Sequence, residues 1–351
     1  MQFLEAPLNL FLVSIIDTIF DMAEFISTFT TGFQGLVQKT LSHFLPDVKI
    51  INVYDGMIHY KYDGNSRNIE KVIYFNNTFF VLKFFKNAQN FKFMGNSVCA
   101  EKKYFLINKG TFRIRFNQEN QFAKVDKNIA RKAEDFIVKN SKLTVDRVNP
   151  GTEFWFCIRR EGFGFCGQLI SKREFTEKNL NKGELRPEVA YFLSVFADIE
   201  KNNTVADFFA GYGSIPVQIV KNFDFEELFV SDISENQVKI LNEKKILQRQ
   251  NVHIFCDDAF ELKNIKDKSI ERIITDPPWG FYEDIGDIKL FYEKMLKNFE
   301  RILSENGKIV ILTARKNEFE LAVKESSFEI KENLNTLVNG KKAALYKIER
   351  R

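Results

Sequence analysis

Three short apolar segments in the C-terminal half of the chain each end in acidic residues. They occupy residues 205–207, 227–232 and 252–258 and are separated by stretches long enough for helices. This alternation predicts parallel strands in a doubly wound α/β sheet. Ligands of such sheets bind outside the carboxyl ends of the strands, so the acids would surround one pocket. Each acid taken singly could instead cap a helix.

A glycine turn follows the first of these segments. Gly211 and Gly213 permit a positive φ and a close approach of the backbone to a ligand, and a helical stretch follows them. Pro216 stands where a dinucleotide fingerprint has its third glycine, and no Walker-type lysine follows. Asp232, about twenty residues after the glycines, is placed to bind ribose hydroxyls. Together these residues favour a nucleoside ligand, although a lone G-x-G could be only a tight turn.

The sequence Asp-Pro-Pro-Trp-Gly at residues 276–280 directly follows a β-type run, residues 272–275. Neither proline can donate a hydrogen bond, so the strand cannot continue and its carbonyl groups are free to face a cleft. A carboxylate, a carbonyl and an indole at one place suit a planar base with an exocyclic amine. The alternative is an ordinary turn at the end of a strand.

Residues from about 183 to the end resemble the class I S-adenosylmethionine-dependent methyltransferases. Within these they resemble the branch that methylates exocyclic amines through an N/D-P-P-Y/F/W motif. Residues 183–190 are similar to the segment before the glycine turn in RNA guanine-N2 methyltransferases. Residues 207–215 match that branch's D-P-F-C-G-S-G-T-I pattern in skeleton only, with departures at Phe208, Ala210 and Tyr212. The predicted strand at 307–312 and the strand pair turning at 339–340 match the end of this fold.

The resemblance implies a role for each matching residue. Gly211 and Gly213 would lie against the methionine part of the cofactor. Asp232 would bind the ribose and Asp258 the adenine amine. Asp276 and the Pro277 carbonyl would receive the target amine, with Trp279 against the base. The predicted catalytic residues are Asp276, Pro277, Pro278 and Trp279. The predicted cofactor-binding residues are Arg186, Pro187, Asp207, Phe209, Gly211, Gly213, Asp232 and Asp258.

Positive charge is concentrated in the middle of the chain. Residues 101–173 hold 16 Lys and Arg against 8 Asp and Glu, a local charge of +8 in a chain of net +4. This segregation predicts an anionic polymer as partner, whereas a solvated helix face is the plainer explanation of any single residue. The predicted RNA-binding residues are Lys124, Lys127, Arg131, Lys132, Arg159 and Arg160.

The same region shows the pattern of a small α+β module. A strand is predicted at 111–116, a helix at 125–138 and two strands joined near 161–162. Residues 80–170 resemble a THUMP domain, an RNA-binding module, and residues 24–80 resemble the ferredoxin-like domain that precedes it. The first strand of that domain is predicted at 25–29 and its first helix at 32–44. The predicted domains are an extension (1–23), a ferredoxin-like domain (24–80), a THUMP-like domain (81–170), a linker (171–182) and a seven-stranded, Rossmann-like methyltransferase domain (183–351).

These observations predict transfer of a methyl group from S-adenosylmethionine to the N2 amine of a guanosine in structured RNA, with tRNA favoured. An rRNA guanine-N2 methyltransferase, a DNA adenine-N6 methyltransferase and a vestigial RNA chaperone are the alternatives. Four cysteines without zinc spacing and three scattered histidines predict no metal site. The apolar run at 8–16 is interrupted by Asp17 and Asp21, so we expect no membrane contact and a cytoplasmic enzyme.

Overall fold

The computed structural model describes residues 23–173, 180–281 and 285–351, so almost all of the predicted N-terminal extension lies outside it. The chain forms two compact units. One contains the described residues up to Thr28 together with Leu41–Lys172, and the other contains Phe29–Thr40 and Arg173–Arg351. No helix in the described ranges is long and apolar enough to cross a membrane.

The first unit is built on one mixed sheet of nine strands in the order β2-β3-β1-β4-β9-β8-β5-β6, with β7 also paired to β5. Its strands are β1 (Glu24–Thr28), β2 (Lys49–Tyr54), β3 (Met57–Lys61), β4 (Asn77–Phe85), β5 (Lys109–Gln118), β6 (Gln121–Phe122), β7 (Lys142–Val145), β8 (Thr152–Ile158) and β9 (Gly164–Lys172). Its helices are α2 (Arg67–Glu70), α3 (Phe91–Cys99) and α4 (Lys127–Asn140), and helix α1 (Gln34–Phe44) is divided between the two units.

The alternation that predicted a strand at 111–116 has a direct structural cause. Phe112 and Phe116 of β5 are buried in one core with Phe154 and Phe156 of β8, and Ile137 of α4 packs in the same cluster. Ile114, between them, packs against the same core, whereas the alternate residues Arg113 and Arg115 point to the other face of the sheet. The observed ends of β5 and of α4 therefore each differ from the predicted ends by two residues.

The two predicted N-terminal domains share this sheet. Strand β4 pairs with β1 on one side and with β9 on the other. Its Phe79 is 1% exposed and lies opposite Ile26 in β1 and Leu169 in β9. The predicted boundary between residues 80 and 81 falls inside this strand, because local periodicity does not reveal which distant strands pair with it.

The second unit contains a seven-stranded sheet in the order β12-β11-β10-β13-β14-β16-β15. Its strands are β10 (Thr204–Asp207), β11 (Glu227–Asp232), β12 (Val252–Cys256), β13 (Ile270–Thr275), β14 (Leu303–Thr313), β15 (Phe328–Val338) and β16 (Lys341–Arg350). Its helices are α5 (Pro187–Phe196), α6 (Ser214–Asn222), α7 (Glu235–Glu243), α8 (Ile288–Ile302) and α9 (Lys316–Lys324), with a 3₁₀ turn at Lys245–Leu247. This sheet confirms the predicted Rossmann-like class.

The order of the strands determines where a ligand can bind. Five neighbouring strands, β12, β11, β10, β13 and β14, run parallel. Strands β16 and β15 add an antiparallel pair beside β14. The chain passes from β10 outward to β11 and β12, and then crosses to β13 on the other side of β10. Ile273 and Ile311 are fully buried, as expected for central strands covered on both faces. The carboxyl ends of β10 and β13 therefore flank the switch point at which such sheets bind ligands.

Residues 29–40 pack on the second unit although the sequence places them near the N-terminus. Phe33 stacks on Phe192 of α5 with ring centroids 4.5 Å apart, and Thr336 Oγ1 donates a 2.8 Å hydrogen bond to the Thr31 carbonyl. Gly32 has φ +91°, and a Cβ there would lie 1.9 Å from the carbonyl oxygen of Asn335. These twelve residues of the predicted ferredoxin-like domain therefore belong to the second unit.

Candidate active site

A cleft of about 470 Å³ lies at the carboxyl ends of β10 to β13. The turns after these four strands supply most of its wall, as residues 207–212, 232–234, 258–260 and 276–281. Residues 182–185 line it from before α5, and the turn between β15 and β16 contributes at 338, 339 and 341. The strand-ending acids and the Asp-Pro-Pro-Trp segment thus meet in one cavity.

The glycine turn is held in shape by hydrogen bonds to the neighbouring strand. The amide of Gly211 donates to Asp232 Oδ2 at 2.8 Å, and the amide of Ala210 donates to the Ser231 carbonyl at 3.0 Å. A Cβ built at Gly211 would meet no atom within 4 Å, so the turn has open space beside it there. Gly211 therefore lies where a ligand can approach the backbone closely.

Gly213 has a different position from the one expected. It is not among the residues that line the cleft. It precedes α6 with φ +78°, and a Cβ there would lie 2.6 Å from Leu241 Cδ2 of α7. The structure thus requires glycine at 213 for the shape of the turn and for its packing on α7, and the predicted contact with the methionine part of a cofactor stays a prediction.

Asp232 at the end of β11 and Asp258 after β12 both line the cleft, and both can accept further hydrogen bonds. Asp232 accepts from the amides of Gly211 and Ser234, one at each carboxylate oxygen. Asp258 Oδ1 accepts from the amide of Phe260 at 2.9 Å. Each carboxylate oxygen can accept two hydrogen bonds, so both side chains can still receive the hydroxyl or amine groups of a nucleoside.

Asp207, at the end of β10, is buried between neighbouring strands. Its Oδ1 accepts from Thr275 Oγ1 at 2.7 Å and from the amide of Phe209 at 3.2 Å. Its Oδ2 is buried and has no hydrogen-bond partner within the described part of the chain. The pKa of Asp207 is raised to about 7, mainly by burial. The two hydrogen bonds lower it, and the nearby charge of Asp232 contributes to the rise. Phe209 also lines the cleft.

Asp276 is the second acid with an unsatisfied oxygen in the cleft wall. Its Oδ1 is buried without a hydrogen-bond partner among residues 23–173, 180–281 and 285–351. Burial raises the pKa of Asp276 to about 8, the Trp279 indole opposes this rise, and the charge of Asp207 adds to it. A buried, unpaired carboxyl costs folding free energy, so its retention at a cleft indicates a site that a ligand completes.

Trp279 is held in place by its neighbours on β14. Its indole Nε1 donates to the Leu312 carbonyl at 3.3 Å, and its own carbonyl accepts from Arg315 Nε at 2.8 Å. Pro277 and Pro278 line the cleft beside it. The structure therefore brings the four predicted catalytic residues together with a fixed, half-buried aromatic ring.

Arg186 and Pro187 are the predicted cofactor-binding residues that lie elsewhere. Arg186 Nε is 3.0 Å from Glu188 Oε1, and its Nη2 donates to Thr30 Oγ1 at 2.8 Å. Glu188 is 2% exposed and also lies 3.0 Å from Arg173 Nη1. Pro187 is the first residue of α5, a position that suits a residue without an N–H. Neither residue lines the cleft, whose wall here is formed by residues 182–185, so their role in cofactor binding stays a prediction.

Several cleft residues had no counterpart in the sequence predictions. Phe281 follows the Asp-Pro-Pro-Trp segment, and Asn339 and Lys341 come from the β15–β16 turn. The turn was predicted, but its place beside β13 and β14 was not. It reaches the cleft because the returning strand β16 inserts between β14 and β15, which only long-range pairing determines. No cluster of His, Cys, Asp or Glu in the described ranges is arranged to hold a metal ion.

The six predicted RNA-binding residues do not form one group. Lys127, Arg131 and Lys132 are exposed on α4, and Lys124 precedes that helix. Arg159 and Arg160 lie at the turn between β8 and β9. The Arg159 side chain is 15% exposed and donates to Asn120 Oδ1 and the Asp55 carbonyl, so it also holds neighbouring loops together.

Comparison with known proteins supports this description. Residues 181–348 match the family described as the methyltransferase small domain, which confirms the predicted enzyme class. The chain is 20% identical to a tRNA (guanine(6)-N2)-methyltransferase of Methanocaldococcus jannaschii, over 89% of this chain and 96% of the relative. It is 27% identical to the U6 snRNA (guanine-N(2))-methyltransferase THUMPD2 of Bos taurus, over 41% of this chain and 28% of the relative. The crystal structure of TrmN from Thermus thermophilus superposes with a TM-score of 0.75 at 17% identity, over 93% of this chain and 99% of that one.

Proposed function

We propose that this chain, whose residues 181–348 match the methyltransferase small domain family, methylates the exocyclic N2 amine of a guanosine in structured RNA. S-adenosylmethionine is the methyl donor, and tRNA is the favoured substrate. The observation that carries the proposal is the buried Oδ1 of Asp276 in the cleft wall, which has no hydrogen-bond partner in the described part of the chain and lies near the fixed ring of Trp279. An exocyclic amine would supply the hydrogen bond that this oxygen lacks.

The cleft residues fit a nucleoside-bearing cofactor. Asp232 and Asp258 stand at the ends of adjacent strands with free acceptor capacity for ribose and adenine, and Gly211 leaves open space for a close approach. The unpartnered Oδ2 of Asp207 is a further buried acceptor in the same wall. S-adenosylmethionine supplies a methyl group activated by its sulfonium. The donor set matches such a molecule better than a metal, since these carboxylates are already bonded to backbone amides.

Asp276 and Pro277 would act on the target amine. The lone pair of this amine is delocalised into the guanine ring, so it is a poor nucleophile. Two acceptors on its N–H groups, Asp276 Oδ1 and the Pro277 carbonyl, would hold the lone pair toward the methyl donor. Asp276 is then placed to take a proton from the amine. Its pKa of about 8 in the free protein means that it must ionise before it can do so at pH 7.

Trp279 would bind the base itself. A guanine in a paired region has to leave the helix to reach a cleft of this kind, at a cost of a few kcal/mol. Stacking on an aromatic side chain offsets about 1–3 kcal/mol of that cost. Because the indole is hydrogen-bonded to β14 and does not need to be ordered on binding, most of the stacking energy remains available.

The preference for tRNA rests on the relatives and on the charge of the first unit. Both curated relatives modify the N2 amine of guanine in RNA, and the one that aligns with nearly the full chain acts on tRNA. The local +8 of residues 101–173 supports a polyanionic substrate. The same charge would attract rRNA or DNA, so the preference for tRNA among polyanions rests on the relatives.

The test is to methylate unmodified tRNA transcripts with the purified protein and to separate the nucleosides after digestion. We expect N2-methylguanosine. Trp279→Ala should lower kcat/KM by a factor that corresponds to about 1–3 kcal/mol, the energy of one base–indole stack. Trp279→Phe should recover much of this activity because a π-face remains. Formation of N6-methyladenosine or 5-methylcytidine would contradict the base assignment, and full activity of Asp276→Ala would contradict the mechanism.

A further inference from the structure

Two cations lie on one aromatic ring at the rim of the cleft. The guanidinium carbon of Arg315 is 4.6 Å from the centroid of the Phe281 ring, and Lys341 Nζ is 3.4 Å from the same centroid. Phe281 is 41% exposed, and both Phe281 and Lys341 line the cleft. The two positive charges therefore lie no more than 8.0 Å apart, and attraction to the ring leaves their N–H groups able to donate elsewhere.

This pair stands beside the residues assigned to the target base. Arg315 Nε donates to the Trp279 carbonyl at 2.8 Å, and the Phe281 and Trp279 rings meet edge to face with centroids 6.2 Å apart. Lys341 approaches from the β15–β16 turn. The two charges therefore lie on the side of the cleft formed by Trp279 and Phe281. The residues that suit the cofactor, in the glycine turn and at the acidic strand ends, belong to other elements.

The pair carries little neutralisation by acids. Within the described ranges, no carboxylate oxygen lies within 4.0 Å of Lys341 Nζ, and Arg315 has only Glu318 Oε1 at 4.0 Å. Lys347 of the same strand, by contrast, lies 3.0 Å from Asp198 and 3.2 Å from Glu332. Two neighbouring cations without short ion pairs form a site for an anion.

We propose that Lys341 and Arg315 bind an RNA phosphate next to the target guanosine and so hold its backbone at the rim while the base stacks on Trp279. This inference rests on the proposed function and adds a phosphate-binding contact in the second unit to the exposed basic residues of α4 in the first. The guanidinium offers a planar fork to the phosphate oxygens, and the ammonium adds a compact charge beside it. Both residues position the substrate and do not touch the reacting atoms.

The experiment compares Lys341→Gln with Lys342→Gln in the full-length protein. Lys342 is the next residue of β16, is exposed and does not line the cleft, so it is a matched control for loss of one charge. The probe is an unmodified tRNA transcript, titrated at several salt concentrations with S-adenosylhomocysteine present. We expect Lys341→Gln to weaken RNA binding about threefold to tenfold and to reduce the slope of log K against log salt by about one. Lys342→Gln should leave both nearly unchanged, and Lys341→Arg should restore both.

Three outcomes would overturn the inference. These are equal losses in Lys341→Gln and Lys342→Gln, no loss in either, or a fall in the affinity of Lys341→Gln for S-adenosylhomocysteine alone, which would assign the charge to the cofactor carboxylate. Product analysis separates this question from the proposed function. A product other than N2-methylguanosine together with the expected loss of slope would reject the base assignment and retain the phosphate contact.

Discussion

The amide of Gly211 donates a 2.8 Å hydrogen bond to Oδ2 of Asp232, and this bond joins the turn after β10 to the end of β11. The acid proposed to bind ribose is therefore oriented by the glycine turn before any ligand arrives. Such preorganisation lowers the cost of ordering a site on binding. It also means that a change in the turn affects the acid.

The two glycines of the turn should respond differently to alanine. Gly213→Ala places a Cβ 2.6 Å from Leu241 Cδ2 at a positive φ, so we expect a loss of about 2–4 kcal/mol in the free energy of unfolding. Gly211→Ala meets open space at φ +49° and should cost about 1–2 kcal/mol while weakening cofactor binding more strongly. Chemical denaturation and calorimetry with S-adenosylmethionine measure the two effects. Equal destabilisation by both variants would contradict this division.

The activity should depend on pH through Asp276. Its pKa of about 8 leaves the neutral acid predominant at pH 7, and the ionised form increases as pH rises. If the carboxylate receives the amine, kcat/KM for RNA should rise about tenfold per pH unit below the pKa and level off above it. Asp276→Asn should have low activity and a flat profile in this range. A wild-type profile that falls between pH 6 and pH 8 would exclude this role.

The same carboxyl should lower stability as pH rises. Because the pKa of Asp276 is raised in the folded protein, the unfolded chain loses its proton first, between about pH 4 and pH 8. The free energy of unfolding then falls by at most about 1.4 kcal/mol per pH unit for this group. Asp276→Asn stays neutral, so it should raise the melting temperature at pH 8 and have little effect near pH 4. The exposed Asp224→Asn is the control, and a gain that grows toward low pH would be the wrong sign.

Arg186 should prove to be a structural residue. Replacing it with methionine leaves Glu188, which is 2% exposed, with one fewer cationic partner. Removal of one member of a buried ion pair costs about 3–5 kcal/mol, so the variant should melt at a clearly lower temperature. Its affinity for S-adenosylmethionine, measured well below that temperature, should match the wild type. Loss of affinity in a fully folded variant would restore the cofactor role that the sequence predicted.

RNA affinity should depend on the exposed face of α4. Reversing the charges of Arg131 and Lys132 to glutamate should weaken tRNA binding, reduce its salt dependence by about two in slope and leave cofactor binding unchanged. Lys201 and Lys221 in the second unit are exposed as well and provide a control pair for the same change in net charge. An equal loss of RNA affinity in the control would indicate attraction by net charge alone.

The sequence was informative wherever one segment carries the signal by itself. Apolar runs ending in acids predicted strand ends around one pocket, and the structure brings these acids, Asp207, Asp232, Asp258 and Asp276, to one cleft. The resemblance to a known family extended this to the seven-stranded sheet. A strand that ends in an acid is a local event, so a short window of sequence is enough to detect it.

Long-range pairing explains what the sequence did not reveal. Arg186 matched a motif near the glycine turn, yet its side chain meets a buried Glu188 that periodicity could not identify as its partner. Lys341 reaches the cleft only because β16 inserts beside β14. Strand β4 pairs with strands from both predicted N-terminal domains, so the two form one continuous sheet. Each of these facts depends on residues far apart in the chain.

The packing of residues 29–40 on the second unit has a consequence for how this protein is made. The bond from Thr336 to the Thr31 carbonyl joins residues 305 positions apart. On the ribosome, the segment carrying Gly32 and Phe33 is made long before Asn335 and Thr336, because 305 positions separate Thr31 from Thr336. Contacts of such long sequence separation form slowly, and the surfaces that await them stay exposed to aggregation and chaperones. The packing of residues 29–40 on the second unit therefore cannot form until β15 has been synthesised.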